Sequence, residues 1–439
     1  MPTRLHLSVI LIAVFALCGM ALADELTKAS IPADWPPQLR TLIEQTFSDD
    51  AKARGDAAKQ LGKEGKSAEP AVPFLIRLLD DNSRLGFQSD HSGVYRTVCT
   101  DAIAALVTIG DSSVDPCIAA LSKSSGKKRY ALVKILGNIK DVRAVRPLGD
   151  LLSDEDSVLR QNVVISLSRW TNPDIVPVLI LALEDKDHQV RYFASKQLGD
   201  IHDFRAVEPL VKGLKDSNDD VRCNAARALG EQGDSLAVPA LVDALQNGRE
   251  DPWVRYWAGC ALGQVGSEPA IDALLMTVDD RNADQKAREG AARGLVISGD
   301  KRAKERLAIL VKDAQENVDV RVRAIKTLKE KDGKAWSPLF TALAKNTADD
   351  NRVQFWAAMS VADVADGAID DPDIVRPLFG YNDPHDTISG LAERREGQEK
   401  VLKAIADHGT TEAARKAAVQ MLQRLEEEWV TTTKSRKSR

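Results

Sequence analysis

One ten-residue word returns along this chain at a spacing too regular for chance. It reads Val190-Arg191-Tyr192-Phe193 through Leu198-Gly199, then Val221-Arg222 through Leu229-Gly230, then Val254-Arg255-Tyr256-Trp257 through Leu262-Gly263. Anchored on its arginine, the word sits at Arg129, Arg160, Arg191, Arg222, Arg255, Arg288 and Arg321, with successive spacings of 31, 31, 31, 33, 33 and 33 residues. Arg54 and Arg415 hold the same place near the two ends, and Cys99 and Gln354 occupy it in units that otherwise fit. A second word, close to Ala-Val-x-Pro-Leu, falls between the first ones at 144–148, 206–210 and 237–241. A fixed period of this size marks a stack of small units and not a set of separate globular domains. Two words per period mean two elements per unit.

Both elements are expected to be helices. Counting from the arginine, positions −1, +3, +4 and +7 are apolar or small, and at about 100° per residue they form one stripe. An aspartate follows the leucine by five residues at Asp111, Asp141, Asp203, Asp234, Asp300 and Asp366, where it is expected to cap the next helix. That helix carries a repeated proline, among others Pro73, Pro116, Pro147, Pro177, Pro209, Pro239, Pro269, Pro338 and Pro377. Five or six residues past the cap, a proline is expected to break a backbone bond and bend the helix.

A two-helix unit of about 31 residues cannot bury its own apolar stripe, so the fold class expected is all-α: an α-solenoid of antiparallel helix pairs, about a dozen units long. Two stretches break the period. Arg54 and Cys99 lie 45 residues apart, which points to an insertion over 81–97, and the 61 residues from Gln354 to Arg415 hold a degenerate unit at about 370–397. The solenoid is expected over 36–428, opened by a helix after Trp35-Pro36 and closed by a charged helix over 411–428. With Val-Arg-x-x-Ala-Ala-x-Ala-Leu-Gly-x-x-Gly-Asp standing between Asp219 and Asp234, the chain resembles the HEAT repeat family, and within it the short units of the bilin lyase type. The resemblance covers nearly all of the chain after residue 23. It implies the fold and is almost silent on function.

The first residues read as an export signal. Arg4 precedes an apolar run from Leu7 to Leu17, and Ala21-Leu22-Ala23 stands before Asp24-Glu25, so cleavage is expected after Ala23, followed by a short linker over 24–35. A lipoprotein signal using Cys18 is the rival reading, and Phe15-Ala16-Leu17 puts a bulky residue where such a signal wants a small one. The protein is therefore expected outside the cytoplasm, periplasmic or extracellular, with no membrane span. Cys99, Cys117, Cys223 and Cys260 form no C-x-x-C pair and lie within apolar helical patterns, so buried free thiols are expected. Lys+Arg 60 against Asp+Glu 65 gives a net charge of −5, and without the leader's Arg4 the balance is 59 against 65, or −6. Neither value advertises nucleic acid as a partner. The basic run over 429–439 reads as a solvated tail.

Three constellations bear on function. The repeated arginine lies within the apolar stripe, and Asp154, Asp185 and Asp216 stand six residues before Arg160, Arg191 and Arg222. A buried arginine-aspartate ladder joining neighbouring units is expected, not a row of phosphate-binding groups. Positions +1, +2 and +5 point away from the stripe, toward what would be the concave side. They hold Tyr130, Tyr192, Phe193, Tyr256, Trp257, Phe355 and Trp356 together with Lys134, Lys196, Arg227, Arg293 and Lys326. Exposed aromatic residues beside cations suit a protein or peptide partner. Part of the basic set reads as helical ion pairs: Lys196 with Asp200, Arg227 with Glu231 and Lys326 with Glu330.

Catalysis finds little support. No histidine is followed by glutamate, the dipeptide on which di-iron hydroxylases built from HEAT-like repeats depend, and Asp383, His385 and Asp386 form the only dense acid-histidine cluster. No cofactor or metal is expected. The resulting expectation is a non-enzymatic exported scaffold that binds a protein or peptide. A lyase-like or chaperone-like protein acting on a bound pigment or protein substrate is the alternative that the resemblance implies, and a DNA-binding solenoid ranks third.

Overall fold

The computed structural model describes residues 26–87, 95–364 and a handful of positions between 398 and 423. The export signal, the 370–397 unit, the 429–439 tail, Asp366, Pro377, Arg415 and the cluster at Asp383 and His385 lie outside the described residues, as does most of the 411–428 helix. The chain divides into two compact units, 1–209 and 210–439.

Within the first unit, Pro37–Gln45 opens the stack where the Trp35-Pro36 signal placed it. Ala51–Glu64, Val98–Ile109, Gly126–Ile139, Ser157–Leu167 and His188–Ile201 then carry the arginine word or its equivalent, and each packs on the next. In the second unit the same role falls to Asp219–Gln232, Pro252–Val265, Gln285–Ser298, the first half of Val318–Lys345, and Asn351–Val364. Shorter helices bearing the proline alternate with them, among them Val145–Asp150, Val176–Ala182, Val238–Gln246 and Glu268–Asp279. Each unit is thus an α-solenoid stack of helix pairs. The stripe is its core: Val190, Ala194 and Leu198, Val221, Ala225 and Leu229, and Val254, Ala258 and Leu262 are all exposed by 1% or less. No helix here closes a core alone, so each is held by the neighbours its stripe meets.

The caps and prolines work differently from the expectation. Asp141, Asp203 and Asp234 accept from the backbone N–H groups of Arg143, Arg205 and Leu236, and so cap a single 3-10 turn. The α-helix starts only after that turn, at Val145, Val207 and Val238. Pro147, Pro209 and Pro239 therefore fall in the first α-turn, where a backbone N–H has no intrahelical acceptor to lose. The change of winding comes from the 3-10 junction and not from a broken bond. Asp300 caps Lys301–Lys312 directly. Asp111 is the exception, because it lies inside a 3-10 turn capped by Ile109 and turns its carboxylate to Arg143.

The described parts of the 81–97 insertion pair as two strands, Arg84–Phe87 antiparallel to Tyr95–Thr97. Both strand ends are tied to the stack. Asp81 accepts from Arg54 at 2.6 Å, Arg96 bridges Asp56 and Asp101, and Thr97 caps the helix that follows. Among the described residues, 98–121 come nearest to a membrane span by length and hydropathy. They are two helices, divided at Gly110 with φ 76, and Leu106 and Val114 on either side of the break are fully buried against the rest of the unit.

Candidate functional site

The repeated arginines point inward, and Arg129, Arg160, Arg222, Arg255, Arg288 and Arg321 each join their own repeat to the following one. Arg160 binds the Asp185 carboxylate at 2.7 Å and the Asp154 carbonyl at 2.8 Å. Arg321 binds Asp349 at 2.6 Å, Arg255 reaches Asp284 at 3.4 Å, and Arg129 and Arg288 close on Asp154 and Glu316. The carboxylate comes from the inter-helix turn of the next repeat, while a backbone carbonyl of the arginine's own repeat also accepts: that of the acid six residues earlier for Arg160, Arg191 and Arg222, and those of Val278 and Val311, ten residues earlier, for Arg288 and Arg321. Arg191 accordingly donates to the Asp185 carbonyl and Arg222 to that of Asp216. The charge-assisted partner of Arg222, expected at Asp216 or its neighbour, is Glu250 at 2.8 Å. The guanidinium thus spans two turns, taking a carboxylate from the one a period downstream and carbonyl oxygens from its own.

A second ladder runs along the caps. Arg143 meets Asp111, Asp115 and Asp141, Arg205 meets Asp203, and Arg302 bridges Asp300 and Asp272. Its signal, an arginine two residues past the capping aspartate, stands in the sequence and passed unread.

Positions +1, +2 and +5 do not form one continuous exposed ridge. Tyr130, Tyr192 and Phe193 are half-buried in the first unit, where the Tyr130 hydroxyl donates to Asp156, and the Tyr192 and Phe193 rings meet edge-on at 5.2 Å. In the second unit Trp257 is half-buried, whereas Tyr256, Phe355 and Trp356 are buried, at 5%, 0% and 8% exposure. The expectation of solvent-facing pairs is corrected at these three. Adjacent arginine helices approach so closely that +1 points along the stack into the next helix: a Cβ on Gly290 would lie 2.7 Å from the Tyr256 Cα.

The cations divide as well. Lys134 and Lys196 are exposed, and Lys196 forms no ion pair with Asp200. Arg227 pairs with Glu231 at 3.5 Å, and Lys326 Nζ lies 3.3 Å from the Trp356 ring centroid. Arg293 and Arg323 have no carboxylate within ion-pair reach among the described residues.

Two further side chains belong to this surface. Trp253, 51% exposed at position −2 in the first turn of its helix, meets Tyr256 at 5.7 Å and carries Lys286 over its ring at 4.8 Å. Arg323 places its guanidinium 5.7 Å from the Tyr256 ring centroid. The word-based reading missed both, since it examined +1, +2 and +5 for rings and +5 alone for cations.

A family model described as HEAT repeats matches residues 98–168, 114–195, 145–222 and 207–296. Residues 98–296 carry HEAT repeats. Among solved structures it is similar to an engineered protein at 20% identity, covering 75% of this chain and 98% of that one with a TM-score of 0.37. It is similar to the complex of CpcE and CpcF of phycocyanin lyase from Nostoc sp. at 24% identity, covering 56% and 96% with a TM-score of 0.27. Kap121p matches at 13% identity, covering 87% and 47% with a TM-score of 0.49. No curated protein matches the chain.

The cysteines of the HEAT units are free thiols at Cys99, Cys117, Cys223 and Cys260. Burial pushes the Cys99 and Cys260 thiols up to about 11, and those of Cys117 and Cys223 up to about 12. At Cys260 the Arg293 and Arg323 guanidinium groups pull the other way, as they do at the Tyr256 hydroxyl. A raised value leaves the thiol protonated at neutral pH, and a thiol is a poor nucleophile. At pH 8 the native protein is therefore expected to react with a disulfide reagent at least tenfold more slowly than the urea-unfolded protein. Native reactivity equal to that of the unfolded chain would contradict this.

Proposed function

We propose that the protein is a non-enzymatic, exported scaffold that binds a protein or peptide partner on the open face of its arginine helices, the concave face in a solenoid of this kind. The observation that carries the reading is the surface around Trp253 and Trp257, where an exposed and a half-buried indole flank Tyr256, with Lys286 over the Trp253 ring and Arg323 over the Tyr256 ring. Aromatic anchors of this type supply most of the affinity at protein interfaces, and cations beside them favour an acidic and apolar partner. Export rests on the sequence over 1–23, and a scaffold outside the cytoplasm needs neither cofactor nor metal to act this way.

The test is affinity capture from the native envelope or extracellular fraction. Trp257→Ala is expected to weaken capture about thirtyfold, near 2 kcal/mol, with the helical circular dichroism spectrum unchanged. Tyr256→Ala is not a binding variant, because its ring is buried, and it should lower stability instead. Unchanged capture by the Trp257 variant would remove this face from the reading. A purified protein with visible absorbance would favour a pigment-handling protein.

A further inference from the structure

Among its described residues the second unit binds most arginines to an acid of its own chain. Arg288 and Arg321 are closed in the ladder, and even the surface residues Arg302 and Arg306 are matched, with Asp272 and Asp279. Among the described residues Arg249, Arg293 and Arg323 are the exceptions, and of these Arg249 is exposed in a turn whereas Arg293 and Arg323 are held on helices. Both are partly exposed on the open face, and neither has a carboxylate partner among the described residues. They also converge. Arg323 reaches the Tyr256 ring from two repeats away, its guanidinium 5.7 Å from the ring centroid. Arg293 stands on the intervening helix Gln285–Ser298 between Gly290 and Gly294, the two glycines that abut the Tyr256 and Gly259 backbone. Trp257 stands beside Tyr256, ring against ring at 5.4 Å.

We propose that Arg293 and Arg323 form a clamp for one carboxylate of a bound polypeptide, an aspartate or glutamate side chain whose apolar neighbours rest on Trp257. The assignment rests on the protein-binding reading above and narrows it to a partner with an acidic residue set among apolar ones. Charge complementarity fixes the occupant. Two guanidinium groups with no internal acid match one carboxylate, to which the planar fork donates in pairs. A polyphosphate strand needs a run of free cations. Here Lys286 is held by Glu289 and Arg352 by Asp319, so a strand would have to displace internal acids.

The probe is a phage-displayed library of random twelve-residue peptides, selected on the full-length protein. Enriched peptides are expected to share an aspartate or glutamate beside leucine or aromatic residues. Synthetic copies measured by fluorescence anisotropy should lose about tenfold or more in affinity when that acid becomes its amide. Arg293→Gln with Arg323→Gln should abolish the preference for acid over amide while leaving the thermal melt in place. Trp257→Ala should weaken both peptide forms alike.

Enriched peptides that bind equally as acid and amide would overturn the clamp and leave the scaffold reading standing. So would a double variant that keeps the preference, or displacement of the peptide by millimolar inorganic phosphate, which would mark a free-anion site. A selection that enriches nothing would overturn both. The acid-to-amide comparison needs only the unaltered protein, so it decides even if the double variant fails to fold.

Discussion

Replacing Arg321 by alanine is expected to destabilise the 210–439 unit by about 3–5 kcal/mol in urea titration followed by tryptophan fluorescence. The arginine side chain is 1% exposed and its Asp349 partner 3%. Its Nη1 and Nη2 each donate to Asp349 at 2.6 Å, while Nε and Nη2 donate to the Val311 carbonyl at 3.1 and 2.8 Å. Truncation leaves a carboxylate without its counter-charge and a carbonyl without its donor, both shut off from water. The cost comes from those orphaned groups more than from the lost attraction. Removing both partners tests that distinction: Arg321→Met with Asp349→Leu should recover most of the loss, since two apolar side chains need no counter-charge. A single variant within 1 kcal/mol of the unaltered protein would show that water reaches this rung. The same change at Arg222, whose side chain and Glu250 partner are 17% and 12% exposed, should cost less, about 1.5–3 kcal/mol.

The ladder shows how far the sequence could be read. A residue repeated at a fixed position on an apolar stripe has to be buried, and a buried guanidinium needs acids, so arginine and carboxylate were both legible from composition and period. Their pairing was not. Whether Arg222 takes the acid six residues behind it or Glu250 in the next turn depends on how far each unit advances along the stack, which no single unit encodes. The proline helices teach the same lesson at shorter range. Asp141 and Pro147 fix a cap and a helix start, yet the 3-10 turn between them settles whether the proline breaks a bond or fills a first turn. The open face was the least legible, since +1 and +2 look equivalent on one isolated helix. They separate only when a second helix lies close enough to cover Tyr256 and leave Trp257 at the surface. Trp170, fully buried with its indole donating to the Gly137 carbonyl at 2.8 Å, likewise lies outside both repeated words and carried no periodic signal.

That close approach is set by glycine, and it gives the second large effect. Inside a helix, glycine to alanine ordinarily stabilises by about 1 kcal/mol. Gly259→Ala is expected to do the opposite, lowering stability by about 1–3 kcal/mol net. A Cβ there would lie 2.6 Å from the Gly290 carbonyl carbon and 2.7 Å from the Ala291 nitrogen. One turn on, Gly263 faces Gly294 in the same way, with its Cβ 2.5 Å from that carbonyl carbon. The obstacle in each case is backbone, which cannot rotate aside as a side chain can, so the helices Pro252–Val265 and Gln285–Ser298 must move apart and loosen the stripe between them. Gly248→Ala is the control, because its Cβ would have nothing within 4 Å. The consequence reaches the open face. Tyr256 packs its backbone against Gly290 in this seam and holds Arg323 over its ring, so widening the seam should also weaken acid-dependent peptide capture. If Gly259→Ala lowered the melting temperature yet kept the full preference for acid over amide, the clamp would not depend on the seam and Arg323 would act from its own helix alone.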